Sequence, residues 1–140
     1  MKKRSDIISA KLNIYLNFQG NCAEVLELYA KIFQAAPSRT TYGEAPGGSP
    51  VPGWDDKIMH AEMRIGGADV MFSDCPPDVP FILGNNFVMT YCNTDTEELH
   101  RVFNALAADG HVVQQLAKTF FSELFGMVTD KFGITWNFIA

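Results

Sequence analysis

An internal repeat constrains the fold of this chain more than any other feature. When the second half is laid over the first at an offset of 74 residues, two apolar stripes with the i, i+3, i+4, i+7 spacing of a helix coincide without a gap. The matched pairs are Val25 with Leu99, Leu28 with Val102, Tyr29 with Phe103, and Ile32 with Leu106. Unrelated amphipathic helices can also superpose at some offset. The strand-like runs before the stripes agree as well, however, and this favours a true repeat of two long units.

Each half contains the same series of elements. Alternating apolar and polar residues, bounded by Gly, Pro and Asn, predict strands. These runs are residues 12–18, 38–43, 57–65 and 68–74 in the first half, and 87–92, 111–117, 119–128 and 133–139 in the second. Gly66-Gly67 joins two of the runs as a hairpin signal, and Thr94 or Asp95 can cap the second helix.

These elements predict an α+β fold of two βαβββ modules. The modules would form one curved eight-stranded mixed sheet, or two sheets, with the helices on the outer face and a concave cavity on the other. We expect a single domain over residues 1–140, with module one at about 11–75 and module two at about 86–139.

Composition excludes several classes of partner. The net charge of −5 and pI near 5.0 argue against a nucleic acid or an anionic membrane surface. No apolar window approaches the ~20 residues of a membrane span, and the basic start is not followed by the apolar stretch of a secretory signal. The three cysteines are widely spaced. They fit neither a zinc site nor a disulfide framework, which favours reduced thiols and a cytoplasmic location.

Four short motifs in this order carry a resemblance to a known family. They are residues 15–22, 60–63, 66–74, and 125–126 with 129–136. Together they resemble the PhnB-like branch of the vicinal-oxygen-chelate (glyoxalase/bleomycin-resistance) superfamily, which is also labelled demethylubiquinone methyltransferase-like, over about residues 11–139. The resemblance implies paired βαβββ modules, a cavity in each curved half and a homodimer, but no established reaction. Lys131 stands where the branch usually has Pro, and Phe121 where it commonly has Trp.

The resemblance also allows a test for a metal centre. Metal-dependent members of the superfamily use mostly His and Glu on the first and last strand of each half. The matching positions here are Asn13, Met71 or Ser73, Phe87 and Asn137. None is a carboxylate or an imidazole, so we expect no metal of the glyoxalase type. No glycine-rich loop follows a strand, so no nucleotide-type cofactor is expected either.

His60 and Glu62 are the candidate catalytic residues. Residues i and i+2 of a strand point to one face, so both side chains face the cavity or solvent. They could form a general acid–base pair or part of an unusual metal site. Alternatively, they belong to a solvated polar face on which Glu62 contacts Arg64.

Strand alternation predicts the residues that line the cavity. The ligand-binding set is Asn13, Tyr15, Asn17, His60, Glu62, Met71, Ser73, Phe87, Met89, Tyr91, Phe121 and Asn137, with Thr135 on the same face. Aromatic rings, Met and a few amides suit a small, partly aromatic ligand. The alternative is that these side chains fill the interior and leave no pocket. By the same alternation Cys92 faces a helix. The loop 43–56 is either a cover latched by Trp54 or a simple insertion.

The sequence therefore predicts a small-molecule-binding protein without the usual metal ligands. Two alternatives stay open. One is a metal-dependent lyase, isomerase or dioxygenase that uses His60 and Glu62. The other is a resistance protein that sequesters a toxic compound unchanged.

Overall fold

The computed structural model describes residues 9–140, and its elements follow the chain as βαβββ twice. The first set is β1 (Ile14–Phe18), α1 (Cys22–Phe33), β2 (Ser38–Thr41), β3 (Ile58–Ile65) and β4 (Ala68–Asp74), with a 3-10 helix at Tyr42–Glu44. The second set is β5 (Met89–Cys92), α2 (Thr96–Ala107), β6 (His111–Ala117), β7 (Phe125–Thr129) and β8 (Thr135–Ile139). The α+β fold is confirmed, with the eight strands in two four-stranded mixed sheets.

The first sheet has the strand order β1-β4-β3-β2, in which β1 is parallel to β4 and the other pairs are antiparallel. Its apolar face carries buried side chains, because alternate residues of each strand are apolar. These are Phe18, Ala61, Met63, Ile65, Val70 and Phe72. The opposite face, called the open face below, carries Tyr15, Asn17, His60, Glu62, Met71 and Ser73.

Asp74 joins three parts of the first unit. Its fully buried carboxylate accepts hydrogen bonds from the backbone amides of Gly20 (2.8 Å), Cys22 (2.9 Å) and Ile58 (2.9 Å). Cys22 is the first residue of α1, where backbone N–H groups have no partner within the helix. Asp74 therefore caps α1 from the end of β4 and holds the start of β3 beside it.

The second sheet has the order β5-β8-β7-β6 and forms a unit with α2 and most of α1. The stripe of α2 predicted from the repeat is buried: Leu99, Val102, Phe103 and Leu106. The ring of Phe103 packs edge-on against Phe138 of β8 at 5.2 Å. Asp95 caps the helix as predicted, accepting from the amide of Glu98 at 3.2 Å.

Residues 25–35, which include most of α1, belong to this second unit. The ring of Tyr29 meets Trp136 edge-on with 5.5 Å between centroids, and Phe33 stacks on the same indole at 5.3 Å. Arg101 of α2 donates from Nη2 to the carbonyl oxygen of Ile32 (2.7 Å), in the last turn of α1. Arg101 thereby supplies a donor for a carbonyl that has no partner within the helix.

The predicted orientation of β5 is wrong. Its parallel register pairs Met89 with Trp136 and Tyr91 with Phe138, both buried on the helix-packed face. Met89 and Tyr91 therefore face the helices, and Thr90 and Cys92 lie on the other face, the reverse of the predicted arrangement. The two helices match at an offset of 74 residues. The inward-facing side chains of β1 and β5 match at an offset of 75 instead, one residue more. One residue of slip reverses every side chain of a strand.

Neither helix of the described chain, residues 9–140, is long and apolar enough to cross a bilayer.

Candidate functional site

Tyr15, His60 and Glu62 form a hydrogen-bonded row on the open face. The hydroxyl of Tyr15 lies 3.0 Å from Nδ1 of His60, and Nε2 of His60 lies 3.2 Å from Oε1 of Glu62. Strand β4 separates β1 from β3, and Met71 of β4 is paired with both Tyr15 and Glu62. The long side chains of Tyr15 and His60 bridge that strand, with ring centroids 5.7 Å apart.

The donors and acceptors of this row are mutually consistent. A tyrosine hydroxyl donates, so Nδ1 of His60 accepts, and the neutral imidazole then carries its hydrogen on Nε2. That N–H donates to the Glu62 carboxylate. Proteins use a carboxylate, an imidazole and a hydroxyl in series to orient the imidazole as a base. The hydroxyl beside the imidazole can then give up its proton. The Tyr15 residue is 46% exposed, so part of its side chain is accessible to a ligand.

Asn13 lies two residues before Tyr15 and contributes a polar atom without a partner. Its Oδ1 is buried and accepts no hydrogen bond within residues 9–140, and the same holds for Oδ1 of Asn137 in the second unit. Leaving a buried acceptor unpaired costs about 1–3 kcal/mol. A hydroxyl or N–H group placed against either oxygen would satisfy it.

The other predicted residues of the first unit lie around this row. Asn17 pairs with Ser73 across β1 and β4. Ser73 is nearly buried, and its hydroxyl donates to the carbonyl of Asp74 at 3.3 Å. At the far end of the face Asp69 pairs with Lys11 and Arg64. Hydrogen bonds from Lys11 and Arg64 hold the pKa of Asp69 below its usual range.

The predicted residues of the second unit are dispersed. Asn137 shares a face with Thr90 and Met127, its partners on β5 and β7. Phe121 lies in the loop before β7, with its ring 5.3 Å from Phe125. Phe87 precedes β5 and is highly exposed. Thr135 pairs with Thr129 through their hydroxyls at 2.9 Å.

Sequence reasoning missed Thr90, Phe125 and Met127, and it assigned Met89 and Tyr91 to the wrong face. Phe125 and Met127 could have been found, since both lie in a run that alternates with the buried Gly126 and Val128. The orientation of Thr90 depends on the register between β5 and β8, for which the sequence contains no local signal.

The donor set does not fit a metal centre of the glyoxalase type. Among residues 9–140, no three His, Cys, Asp or Glu side chains cluster in a way that could hold a metal ion. His60 and Glu62 are one imidazole and one carboxylate, and both ring nitrogens of His60 already have hydrogen-bond partners. A divalent first-row cation needs more nitrogen and oxygen ligands than this pair supplies.

The buried Cys22 is not an activated nucleophile. Burial, with a further effect of the Asp74 charge, raises the pKa of the Cys22 thiol to about 12. Cys92 is exposed rather than packed on a helix. A reactive cysteine needs a stabilised thiolate, and Cys22 has the opposite environment.

The loop 43–56 is folded upon itself. The amide of Gly43 donates to the carbonyl of Asp55 at 2.9 Å, and the amide of Ser49 donates to the Asp55 side chain at 2.8 Å. The indole of Trp54 packs edge-on against Tyr42, with centroids 6.1 Å apart. Trp54 therefore has a defined contact within the first unit.

Comparison with known proteins places this fold in one family. A family model described as 3-demethylubiquinone-9 3-methyltransferase matches residues 10–139. Protein YjdN of Escherichia coli is 34% identical over 137 residues, covering 89% of this chain and 91% of YjdN. The crystal structure of protein PA1353 from Pseudomonas aeruginosa has a TM-score of 0.81 at 35% identity, covering 94% of this chain and 97% of that one.

A third relative carries the same family description in its own name. The structure of a putative 3-demethylubiquinone-9 3-methyltransferase, PhnB protein, from Bacillus cereus has a TM-score of 0.71 at 29% identity, covering 93% of this chain and 98% of that one. The chain therefore belongs to the 3-demethylubiquinone-9 3-methyltransferase family.

Proposed function

We propose that this protein binds a small, partly aromatic molecule on the open face of its first sheet. One observation supports the proposal most strongly: an accessible Tyr15–His60–Glu62 row lies beside a buried amide oxygen, Oδ1 of Asn13, that has no partner within residues 9–140. A polar row of this kind fixes the orientation of a ligand, and apolar neighbours supply most of the contact area.

The residues around the row determine the chemistry of the ligand. Tyr15 offers an exposed ring for stacking, and Met71 on the neighbouring strand offers a polarizable thioether. Asn13 offers an acceptor, and the Tyr15 oxygen, whose proton is donated to His60, offers a second acceptor. The matching ligand is an aromatic compound with oxygen substituents, at least one of which can donate a hydrogen bond.

Methyl transfer is not part of this proposal, although the family description names it. A nucleotide-type methyl donor is usually held by a glycine-rich turn at the start of a helix. The turn from β1 into α1 contains the single glycine Gly20, and the turn from β5 into α2 contains none. The chain does not fit that cofactor at either turn.

Calorimetric titration with two probes, phenylpyruvate and 1-phenyl-1,3-butanedione, tests the proposal. We expect saturable binding, weakened about tenfold or more by Asn13→Ala and by Tyr15→Ala, because each removes a direct contact. The control is Asn104→Ala, an exposed position on α2. Unchanged affinity in both site variants would contradict the proposed site. Recovery of the compounds unaltered after long incubation would favour sequestration over turnover.

We also propose that the protein forms a homodimer. Several large apolar side chains of the described residues are strongly exposed in the single chain: Leu12, Ile82, Phe87 and Phe120. Exposed apolar side chains that lie together on one surface would be buried by a second copy of the chain. Light scattering at micromolar concentration should give twice the chain mass of 15.5 kDa. A mass near 15.5 kDa would contradict the dimer.

A cytoplasmic location is the last part of the proposal. Cys22, Cys75 and Cys92 are free thiols, and free thiols are usual where the compartment is reducing. Cell fractionation followed by detection of the protein tests the assignment, and recovery from an oxidising compartment would overturn it.

A further inference from the structure

We propose that Tyr15 is a catalytic acid–base residue, with His60 and Glu62 as its proton relay, and that it acts on carbonyl compounds with an acidic α-hydrogen. This inference rests on the proposed function, because it assigns chemistry to the same open face.

The geometry of the row supports a relay. Both contacts, 3.0 Å from the Tyr15 hydroxyl to Nδ1 of His60 and 3.2 Å from Nε2 to Glu62, are within hydrogen-bond reach. His60 links the phenol of Tyr15 to the carboxylate of Glu62. Glu62 fixes the ring so that Nδ1 faces Tyr15, and it stabilises the imidazolium that forms when Nδ1 accepts a proton.

A comparison with Tyr29 shows what distinguishes Tyr15. Tyr29 is buried and donates to the Asp130 carboxylate, and its pKa is raised well above the ordinary value by burial and by that charge. Its phenol therefore retains its proton. Tyr15 instead combines an exposed side chain with an imidazole partner, so it is the tyrosine of this pair that can exchange a proton with a bound molecule.

The proton-transfer step balances without a co-reactant. The α C–H proton of the substrate moves to Oη of Tyr15 while the phenolic proton of Tyr15 moves to Nδ1 of His60. The C–H electron pair becomes the enolate, and His60 becomes an imidazolium hydrogen-bonded to Glu62. In the reverse direction Nδ1 returns its proton to Tyr15, and Tyr15 protonates the substrate on carbon or oxygen. The net result is tautomerisation or exchange of the α-hydrogen with solvent.

The substrate class follows from two features of the site. A phenol and an imidazole move protons of moderate acidity, so they suit a carbon acid next to a carbonyl group. The free acceptor Oδ1 of Asn13 can take a hydrogen bond from an enol hydroxyl but not from a ketone oxygen. The site is therefore complementary to the enol form of the compound.

Deuterium exchange tests the inference on the full chain. We expect the protein to speed incorporation of solvent deuterium at the α-carbon of phenylpyruvate and 1-phenyl-1,3-butanedione by at least about 10²-fold over buffer, measured by proton NMR. Tyr15→Phe should lower the rate at saturating probe to the buffer value while the Kd stays within about threefold, because the ring remains. His60→Gln should lower the rate about tenfold or more. The matched controls are Tyr91→Phe and His111→Gln, which should exchange at the wild-type rate.

The result separates this inference from the proposed function, because calorimetry and exchange are measured on the same samples. Binding without exchange by the wild-type protein, or exchange undiminished in Tyr15→Phe, would overturn the catalytic role and leave the binding site intact. Absence of binding of both probes would reject the proposed function and this inference with it.

Discussion

The hydroxyl of Tyr29 donates a hydrogen bond to the carboxylate of Asp130, 101 residues further along the chain. Asp130 also accepts from the indole Nε1 of Trp136 (3.0 Å) and from the amides of Phe132 (2.9 Å) and Ile134 (3.0 Å). The carboxylate is buried, and these four donors compensate for its loss of water. One side chain thus fixes the β7–β8 turn and attaches α1 to the second sheet.

Removing the Tyr29 hydroxyl should destabilise the protein. Tyr29→Phe leaves the buried carboxylate with one donor fewer, and we expect a loss of about 1–3 kcal/mol in the free energy of unfolding by urea. Tyr91→Phe is the matched control, since its hydroxyl accepts from the partly buried, uncharged Asn93 side chain (3.1 Å), and it should cost less than about 1 kcal/mol. Equal losses in the two variants would contradict the special role of Asp130.

Asp74 should be among the most sensitive positions of the first unit. Asp74→Ala would leave the buried amides of Cys22 and Ile58, together with that of Gly20, without an acceptor. We expect a loss of about 3 kcal/mol or more, measured by urea denaturation. Asp74→Asn keeps one acceptor oxygen and should cost clearly less. Similar stability of the alanine variant and the wild type would disprove the capping role.

Gly126 should not tolerate a side chain. A Cβ at this position would lie 2.9 Å from the Phe103 ring and 3.0 Å from the Leu116 side chain, on the face of β7 that packs against α2. Overpacking of this kind costs about 1–3 kcal/mol, so the melting temperature of Gly126→Ala should fall. Gly84→Ala is the control, because its Cβ would meet only Asn86, at an ordinary 3.6 Å. An unchanged melting temperature in Gly126→Ala would show that the packing is looser than described.

Stability should fall in alkaline solution. Burial raises the pKa of Cys22 from 9.0 to about 12 and that of Tyr29 well above 10.0, so the folded protein keeps protons that the unfolded chain releases. Ionisation therefore favours the unfolded state as the pH rises above about 9, by up to ~1.4 kcal/mol per pH unit for each group. Urea midpoints between pH 8 and 11 measure this decline. It should be shallower in Cys22→Ala and Tyr29→Phe, and parallel curves in all three proteins would contradict the assignment.

The helices could be predicted from the sequence because their signal is local. The apolar stripe at Leu99, Val102 and Phe103 follows the helical period, and Asp95 precedes it as a cap. Val25, Tyr29 and Ile32 of α1 are likewise buried. The predicted stripe did not include Leu26, which is also fully buried, because Leu26 falls outside the i, i+3, i+4, i+7 spacing that starts at Val25.

Strand limits and orientations were harder to predict. The run 119–128 was expected as one strand, but β7 begins at Phe125. The hydroxyl of Thr119 accepts from the amides of Phe121 and Ser122, and this local turn competes with a strand ladder. Which side chains of β5 face the helices depends on the register between β5 and β8. Packing decides this register, because the strand has only four residues and their alternation is too short to fix it.

The candidate site was predicted as a set of residues but not as a row. Alternation placed Tyr15 on one face of its strand and His60 with Glu62 on one face of another. That the two strands lie on either side of β4 follows from the sheet order, which no local pattern encodes. The contact between Tyr15 and His60 therefore required the structure.

The central claim is that the ligand binds at the Tyr15–His60–Glu62 row, and the histidine-ring NMR spectrum tests it most directly. The chain has three histidines, of which His100 and His111 lie on α2 and β6 in the second unit. On addition of 1-phenyl-1,3-butanedione the ring nitrogen signals of His60 should shift, and those of His100 and His111 should stay unchanged. Saturable binding of the probe with no change at His60 would contradict the account.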